Sequence, residues 1–270
     1  MTNGDFDMKT ELLFLGTGAA DWDYKRDIER PDFRALSGIL IDGHIMLDCG
    51  PGAFMYEDRF GLPGIYKNVD TIFMTHSHED HFDAACVSRL CRESEKNITL
   101  YGDKIFEKLL PKEDKLTFVP LDARFNENCK VSGYTVTALK ANHSTPFPEE
   151  QPLHYLFEGE KNLFVGYDGG WLIADTWKFL QSKHVDVYIV DATCGDDFEC
   201  TYNFRNFSHN NIPMIDFIFK TFIENGVADE NTRLILHHLA RTLHPSHEEV
   251  CTKENKKGYI VAYDGMKYIY

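Results

Sequence analysis

The sequence predicts an α/β sandwich, and three observations carry that prediction. Short apolar runs of strand character fill both halves of the chain, with helical stretches between them. Run after run stops at a polar or charged residue, which gathers any site along one rim of the sheets. An apolar content of 43% over 270 residues is ample for a packed core, and no linker, repeat or low-complexity tract cuts the chain, so residues 1–270 read as one domain.

Thr10 to Leu15 reads as a strand that runs into Gly16-Thr17-Gly18-Ala19-Ala20, a turn that lets backbone approach something closely. Asp21 stands where a dinucleotide fingerprint would need its third glycine, so a Rossmann reading has little weight. Residues 21–36 mix charges and aromatics without period, as a functional or mobile loop does. Ser37 to Leu47 folds back about Asp42-Gly43, and Asp48-Cys49-Gly50-Pro51-Gly52 ends its second strand. Asp48 there either caps the next turn or helix or holds a ligand histidine in one tautomer.

The run Val69 to Met74 is a buried strand that stops at Thr75-His76-Ser77-His78-Glu79-Asp80-His81. Phe82 to Ser94 has helical spacing, with Cys86, Val87, Leu90 and Cys91 as its apolar stripe. Ile98 to Gly102 is a strand, Lys104 to Leu110 a helix stopped by Pro111, and Val131 to Lys140 a strand leading to His143. Leu153 to Phe157 and Asn162 to Tyr167 form a hairpin that exits into Asp168-Gly169-Gly170. Val185 to Val190 exits into Asp191, Ile212 to Phe222 is helical, and Leu234 to Leu236 exits into His237-His238. Tyr259 to Tyr263 and Met266 to Tyr270 are expected to close the chain as a hairpin about Asp264-Gly265.

Charge and cysteine usage narrow the function. A formal charge of −15, from 43 acidic against 28 basic residues, disfavours nucleic acid and anionic membranes as partners. The start has no basic n-region, and no stretch has the length of a membrane span, so the expected compartment is cytoplasmic. Seven cysteines without a Cys-X-X-Cys pair read as free thiols, Cys49 and Cys194 among them as small buried hydrophobes.

The three imidazoles and one carboxylate between His76 and His81 form a metal site before anything else. Imidazole nitrogen and carboxylate oxygen together suit zinc, manganese or iron, and spacings of one and two residues let one tight loop aim several ligands at a point. One loop cannot close two coordination spheres, so further ligands must come from later in the chain.

At His76-Ser77-His78-Glu79-Asp80-His81 the sequence resembles the metallo-β-lactamase superfamily of metallohydrolases. Leu15-Gly16-Thr17-Gly18, Leu47-Asp48-Cys49-Gly50 and Ala262-Tyr263-Asp264-Gly265-Met266 extend the resemblance over nearly the whole chain. It implies a four-layer αββα sandwich with two divalent metal ions, zinc or manganese, with iron also compatible. His76, His78 and His143 would hold the first, Asp80, His81 and His238 the second, with Asp168 between them. For the last ligand His238 is preferred and His237 is the alternative, since strand alternation admits only one of the pair on the site side. Because His78 stands where flavodiiron oxidoreductases of the superfamily carry glutamate, a hydrolase is favoured over a redox centre.

Ser208-His209-Asn210, followed by an amphipathic helix and the last ligand strand, looks like the cyclic phosphodiesterase of the carbon-phosphorus lyase pathway and the tRNA 3′-processing nucleases. The resemblance gives His209 the role of proton donor. Residues 19–36 lack the cysteines of the former's structural zinc site, and the chain lacks the basic arm of the latter. The function implied is a dinuclear phosphodiesterase acting on a small anionic phosphate ester, cyclic esters included. Its nucleophile would be a metal-bridging hydroxide, with Asp80 and His209 as catalytic groups. Arg34 and Arg205 are the first candidates for binding the phosphate, with Arg26, Arg30 and Arg241 behind them. A lactonase or other ester hydrolase, or a binding protein without turnover, is the alternative, and the chain could pair as a homodimer.

Overall fold

Two mixed sheets lie face to face in the computed structural model, which describes residues 9–196 and 207–270. The first is built from β1 (Glu11–Gly16), β2 (Gly38–Ile41), β3 (Ile45–Leu47), β4 (Thr71–Phe73), β5 (Ile98–Gly102), β6 (Leu116–Pro120) and β14 (Lys267–Ile269), in the order β14-β1-β2-β3-β4-β5-β6. The second holds β7 (Asn128–Val131), β8 (Tyr134–Lys140), β9 (Leu153–Glu158), β10 (Leu163–Gly166), β11 (Val187–Asp191), β12 (Arg233–His237) and β13 (Ile260–Val261), in the order β13-β12-β11-β10-β9-β8-β7. The helices are α1 (Tyr24–Asp27), α2 (Pro51–Phe60), α3 (Ala84–Glu93), α4 (Phe106–Leu109), α5 (Ala174–Leu180), α6 (Ile212–Glu224) and α7 (His247–Glu254).

Side-chain alternation divides each strand between two cores. Leu12 and Phe14 of β1 face the second sheet, where they join Phe73, Tyr155, Phe157 and Val165, while Leu13 and Leu15 face outward to Phe54 of α2 and Leu90 of α3. On the other side Leu156, Phe164 and Tyr188 pack under Leu180, Ile215 and Phe222 of α5 and α6. The layers therefore run helix, sheet, sheet, helix, the αββα order that the resemblance implies. Strands buried on both faces need near-continuous apolar runs, which is why so many were visible. Each fully buried ring such as Phe157 contributes about 1.5–3 kcal/mol of transfer free energy.

Strand direction positions the site. β3, β4, β5 and β6 are parallel to one another, as are β10, β11 and β12, and β8 and β10 both run antiparallel to β9. The exits of β3 and β4 and those of β8, β10, β11 and β12 thus open at one end of each sheet. Local capping starts the helices: Asp83 caps α3 through the Cys86 N–H, Asn211 caps α6 through Met214 N–H, and Ser246 with Glu249 forms a capping box on α7.

Two expectations need correction. Tyr259 to Tyr270 is no hairpin: β13 pairs with β12 in the second sheet, whereas β14 pairs with β1 in the first. Asp264 in the connecting turn is claimed instead by Thr17 and the Ala35 N–H, which pulls the turn across the end of the sandwich. The single strand expected over Val131 to Lys140 is the hairpin β7–β8, which turns at Ser132 and Gly133, with φ of 48° and 90°. Among the described residues no helix is long and apolar enough to cross a membrane.

Candidate metal centre

The site lies at these strand ends. The loop after β4 carries His76, His78, Asp80 and His81; His143 follows β8, Asp168 follows β10, and His238 follows β12. Three residues at these exits, Asp48 (φ 60°), Asp168 (φ 53°) and His238 (φ 60°), hold a left-handed backbone without being glycine. Such conformations persist where the surrounding structure over-determines them, and here they turn side chains back over the sheet ends.

Among the described residues three groups of donor atoms converge; the third, Asp168, Asp191, His209 and His238, overlaps the two that hold the histidines of the sequence motif. Of those two, His76, His78, His143 and Asp168 form the first, and Asp80, His81, Asp168 and His238 the second, the atoms of each group lying within 4.8 Å of one another. Asp168 belongs to all three. In the first group, His78 Nδ1 lies 2.8 Å from His76 Nε2 and 3.1 Å from His143 Nε2. In the second, His81 Nε2 lies 2.6 Å from Asp168 Oδ2, 3.2 Å from His238 Nε2 and 3.4 Å from Asp80 Oδ2.

The hydrogen-bond partners assign the imidazole tautomers. Asp48, fully buried, accepts from His81 Nδ1–H at 2.7 Å, from the Thr75 N–H and hydroxyl, and from Tyr167 OH. Because the Thr75 hydroxyl proton goes to Asp48, the Thr75 oxygen accepts from His76 Nδ1–H at 2.9 Å. His143 Nδ1–H donates to the Ser208 carbonyl at 2.9 Å. The inward nitrogens of His76 and His143 are left as lone pairs, with His78 Nδ1 2.8 and 3.1 Å from them and Asp168 Oδ2 3.3 Å from His76 Nε2. Acceptors set against acceptors at such distances repel unless a cation sits among them, and Asp168 Oδ1 is in addition buried without a hydrogen-bond partner. The donor set therefore fits divalent ions, as the fold implies.

Burial holds the His76, His78 and His143 imidazoles below their ordinary pKa, which keeps their lone pairs available. Burial would lower His81 too, but the carboxylates of Asp80, Asp168 and Asp48 carry it well above the usual range. Asp80 and Asp168, despite burial, are held well below theirs, Asp80 chiefly by His81 and Asp168 by His238, His81 and His143.

Sequence reasoning missed several supports. Asp191, fully buried at the end of β11, accepts from His209 Nδ1–H at 2.8 Å and from the Gly169 and Thr193 N–H groups. Burial would lower His209, but Asp191 and Asp168 raise it to about 10. Thr193 Oγ1 lies 2.8 Å from His238 Nδ1, on the side away from His81. Glu150 fixes the ligand loop by accepting from Ser77 N–H and hydroxyl. A carboxylate at a strand exit was the available signal for Asp191; Glu150, in a polar loop, gave none.

The other predicted residues separate. His237, the alternative ligand, points away and bonds the Gly16 carbonyl at 3.0 Å, kept neutral by burial with a pKa of about 3. Arg34 is a correction: it does not line the cavity that holds the two groups but is 5% exposed, with donors to Thr17 Oγ1, the Ala262 carbonyl and His247 Nδ1. Arg205 lies outside the described residues. The cavity itself is about 1060 Å³, with His78, Asp80, His143, Asp168, His209 and His238 on its floor and walls.

Comparison with known proteins agrees with this architecture. Residues 44–225 match the family model of the beta-lactamase superfamily domain. Over 74 residues the chain is 35% identical to Ribonuclease Z of Myxococcus xanthus (strain DK1622), a match that takes in 26% of this chain and 20% of that relative's length. The metallo-beta-lactamase fold protein YhfI from Bacillus subtilis superposes with a TM-score of 0.71 at 18% identity, covering 97% of this chain and 100% of that one. A diphosphatase from the PhnP family does so with a TM-score of 0.68, also at 18% identity, covering 97% and 98%. At these identities the structural likeness is one of fold.

Proposed function

The chain belongs to the beta-lactamase superfamily, and from that premise we propose that it is a metal-dependent phosphodiesterase of small anionic esters. Two divalent ions would be held by His76, His78 and His143 and by Asp80, His81 and His238, with Asp168 common to both. When bound, such ions supply Lewis acidity and a hydroxide nucleophile near neutral pH.

The remaining chemistry falls to the chain's own residues. The observation that carries the reading is the pair His209–Asp191 on the wall of the same cavity. Asp191 fixes the Nδ1–H edge and favours the cationic form of His209. A cationic imidazole beside the reacting centre suits protonation of a departing alkoxide, the step on which a phosphodiester depends. Among the described residues lining the cavity there is neither lysine nor arginine. His209 is then the side chain whose positive charge meets a phosphate oxygen there, besides the ions. The names of two relatives, a ribonuclease and a diphosphatase, support placing a phosphate in the site. The charge of −15 argues against RNA as the substrate.

Turnover of bis(p-nitrophenyl) phosphate by the chain supplied with manganese or zinc, and its loss on chelation, is the expected result. Inactivity with either ion demonstrably bound would sink the proposal.

A further inference from the structure

Beside the metal cavity, and sharing the wall residue Ala240 with it, lies a second pocket of about 170 Å³. Three arginines line it, Arg30, Arg34 and Arg241, with Trp22 and His247 beside them and Asp32 as the acidic residue in the wall. They come from opposite ends of the chain: Arg30 and Arg34 from the loop before β2, Arg241 from the segment after β12.

Their donors are not used up. Arg34 gives Nη1 to Thr17 Oγ1 and the Ala262 carbonyl and one Nη2 hydrogen to His247, which leaves two of its five N–H groups without an acceptor among the described residues. Arg30 meets Asp32 through Nε and Nη2. Arg241 uses Nε on the Asp21 carbonyl, with Asp27 Oδ2 3.5 Å from the same nitrogen, and keeps both terminal nitrogens free of hydrogen bonds to described residues. Arg34 is also a buried cation with no carboxylate in direct contact, since its link to Asp264 passes through the Thr17 hydroxyl. A buried charge so placed is stabilised by a counter-ion that can accept several N–H groups at once.

We propose that this pocket is a second anion site, distinct from the metal cavity, that takes a tetrahedral oxyanion of the phosphate or sulfate class. Its volume equals that of about six liquid water molecules, enough for such an ion. Planar guanidinium forks match the edges of a tetrahedral oxyanion, and Trp22, with Arg30 5.8 Å above its ring, gives a rigid wall. The anion could arrive free or as the far end of a substrate already engaged next door, and the chemistry of recognition is the same.

The test is calorimetric titration of the metal-loaded chain with sodium sulfate, set beside the Arg30→Gln/Arg241→Gln double variant and Asp32→Asn. The metal cavity is common to all three, so its own affinity for sulfate cancels. The double variant should bind at least about tenfold more weakly, as the loss of charge-assisted hydrogen bonds dictates. Asp32→Asn should bind more tightly, a gain that misfolding cannot imitate. Coincident titrations of all three, or absence of binding by the parent, would overturn the site. A rise in KM of the double variant confined to substrates with a second phosphate assigns the pocket to substrate, an arm that rests on the phosphodiesterase reading. Unchanged KM alongside weakened sulfate binding assigns it to a free anion.

Discussion

Asp48 governs both donor groups from a single carboxylate. It orients His81 directly and His76 through the Thr75 hydroxyl, so replacing it releases two imidazoles from their tautomers. Asp48→Asn should weaken metal affinity roughly 10–100-fold, read by competition with a chromophoric chelator. An affinity equal to the parent's would show that its hydrogen bonds are structural. Asp191 acts through His209 in the same indirect way. His209→Ala should lower kcat by about 10²–10⁴-fold with metal content intact, and adding Asp191→Asn should cost little more, because both changes remove one protonated group. Independent, multiplicative losses would separate the pair. At this scale the ligand histidines were legible because their spacing is local and chemically unusual. Arg34 was not, since its charge was visible in the sequence but the direction of its side chain was set by Thr17, Ala262 and His247, two of them more than 200 positions away.

Elements deliver these side chains through close backbone approach. Gly50, which caps α2, has ordinary extended dihedrals, yet a Cβ there would meet the Asp80 carbonyl at 2.7 Å and the His81 carbonyl carbon at 2.8 Å. Gly50→Ala should therefore destabilise by about 1–3 kcal/mol and weaken metal binding together, because what must give way is the ligand loop. Gly43→Ala, at φ 71° with nothing within 4 Å, should cost stability alone, by about 1 kcal/mol. Denaturant titration with metal competition on both variants checks the contrast. Strands and α6 were readable from sequence because apolar runs and caps are local signals. The split of Tyr259 to Tyr270 between two sheets was not: Asp264-Gly265 reads as a tight turn, and only its long-range bonds to Thr17 and Ala35 show that it joins two layers.

For the molecule as a whole, the donor groups close the open end of the sandwich by joining the exits of both sheets, His76 to His81 on one side and His143, Asp168 and His238 on the other. An ion bound there ties the sheets together and should stabilise the folded chain by mass action, by about 2.7 kcal/mol when present at 100 times its Kd. Chelation should accordingly lower the midpoint of thermal unfolding by roughly 5–10 °C for a chain of this size. A melting curve indifferent to chelator would mean that the donors are held by their own hydrogen bonds alone. The αββα layering was legible because alternating strands and helices admit few arrangements; the partition of strands between the sheets came from contacts that pattern alone does not encode.

The parallel run of β10, β11 and β12 has a consequence for how this protein can vary. Asp168, Asp191 and His238 are set beside one another by the fixed lateral spacing of adjoining strands, whatever length of chain loops away and returns between them. Segments could lengthen or shrink in those crossovers over evolutionary time, reshaping what reaches the donor groups, while those groups stayed where the hydrogen-bond ladder puts them.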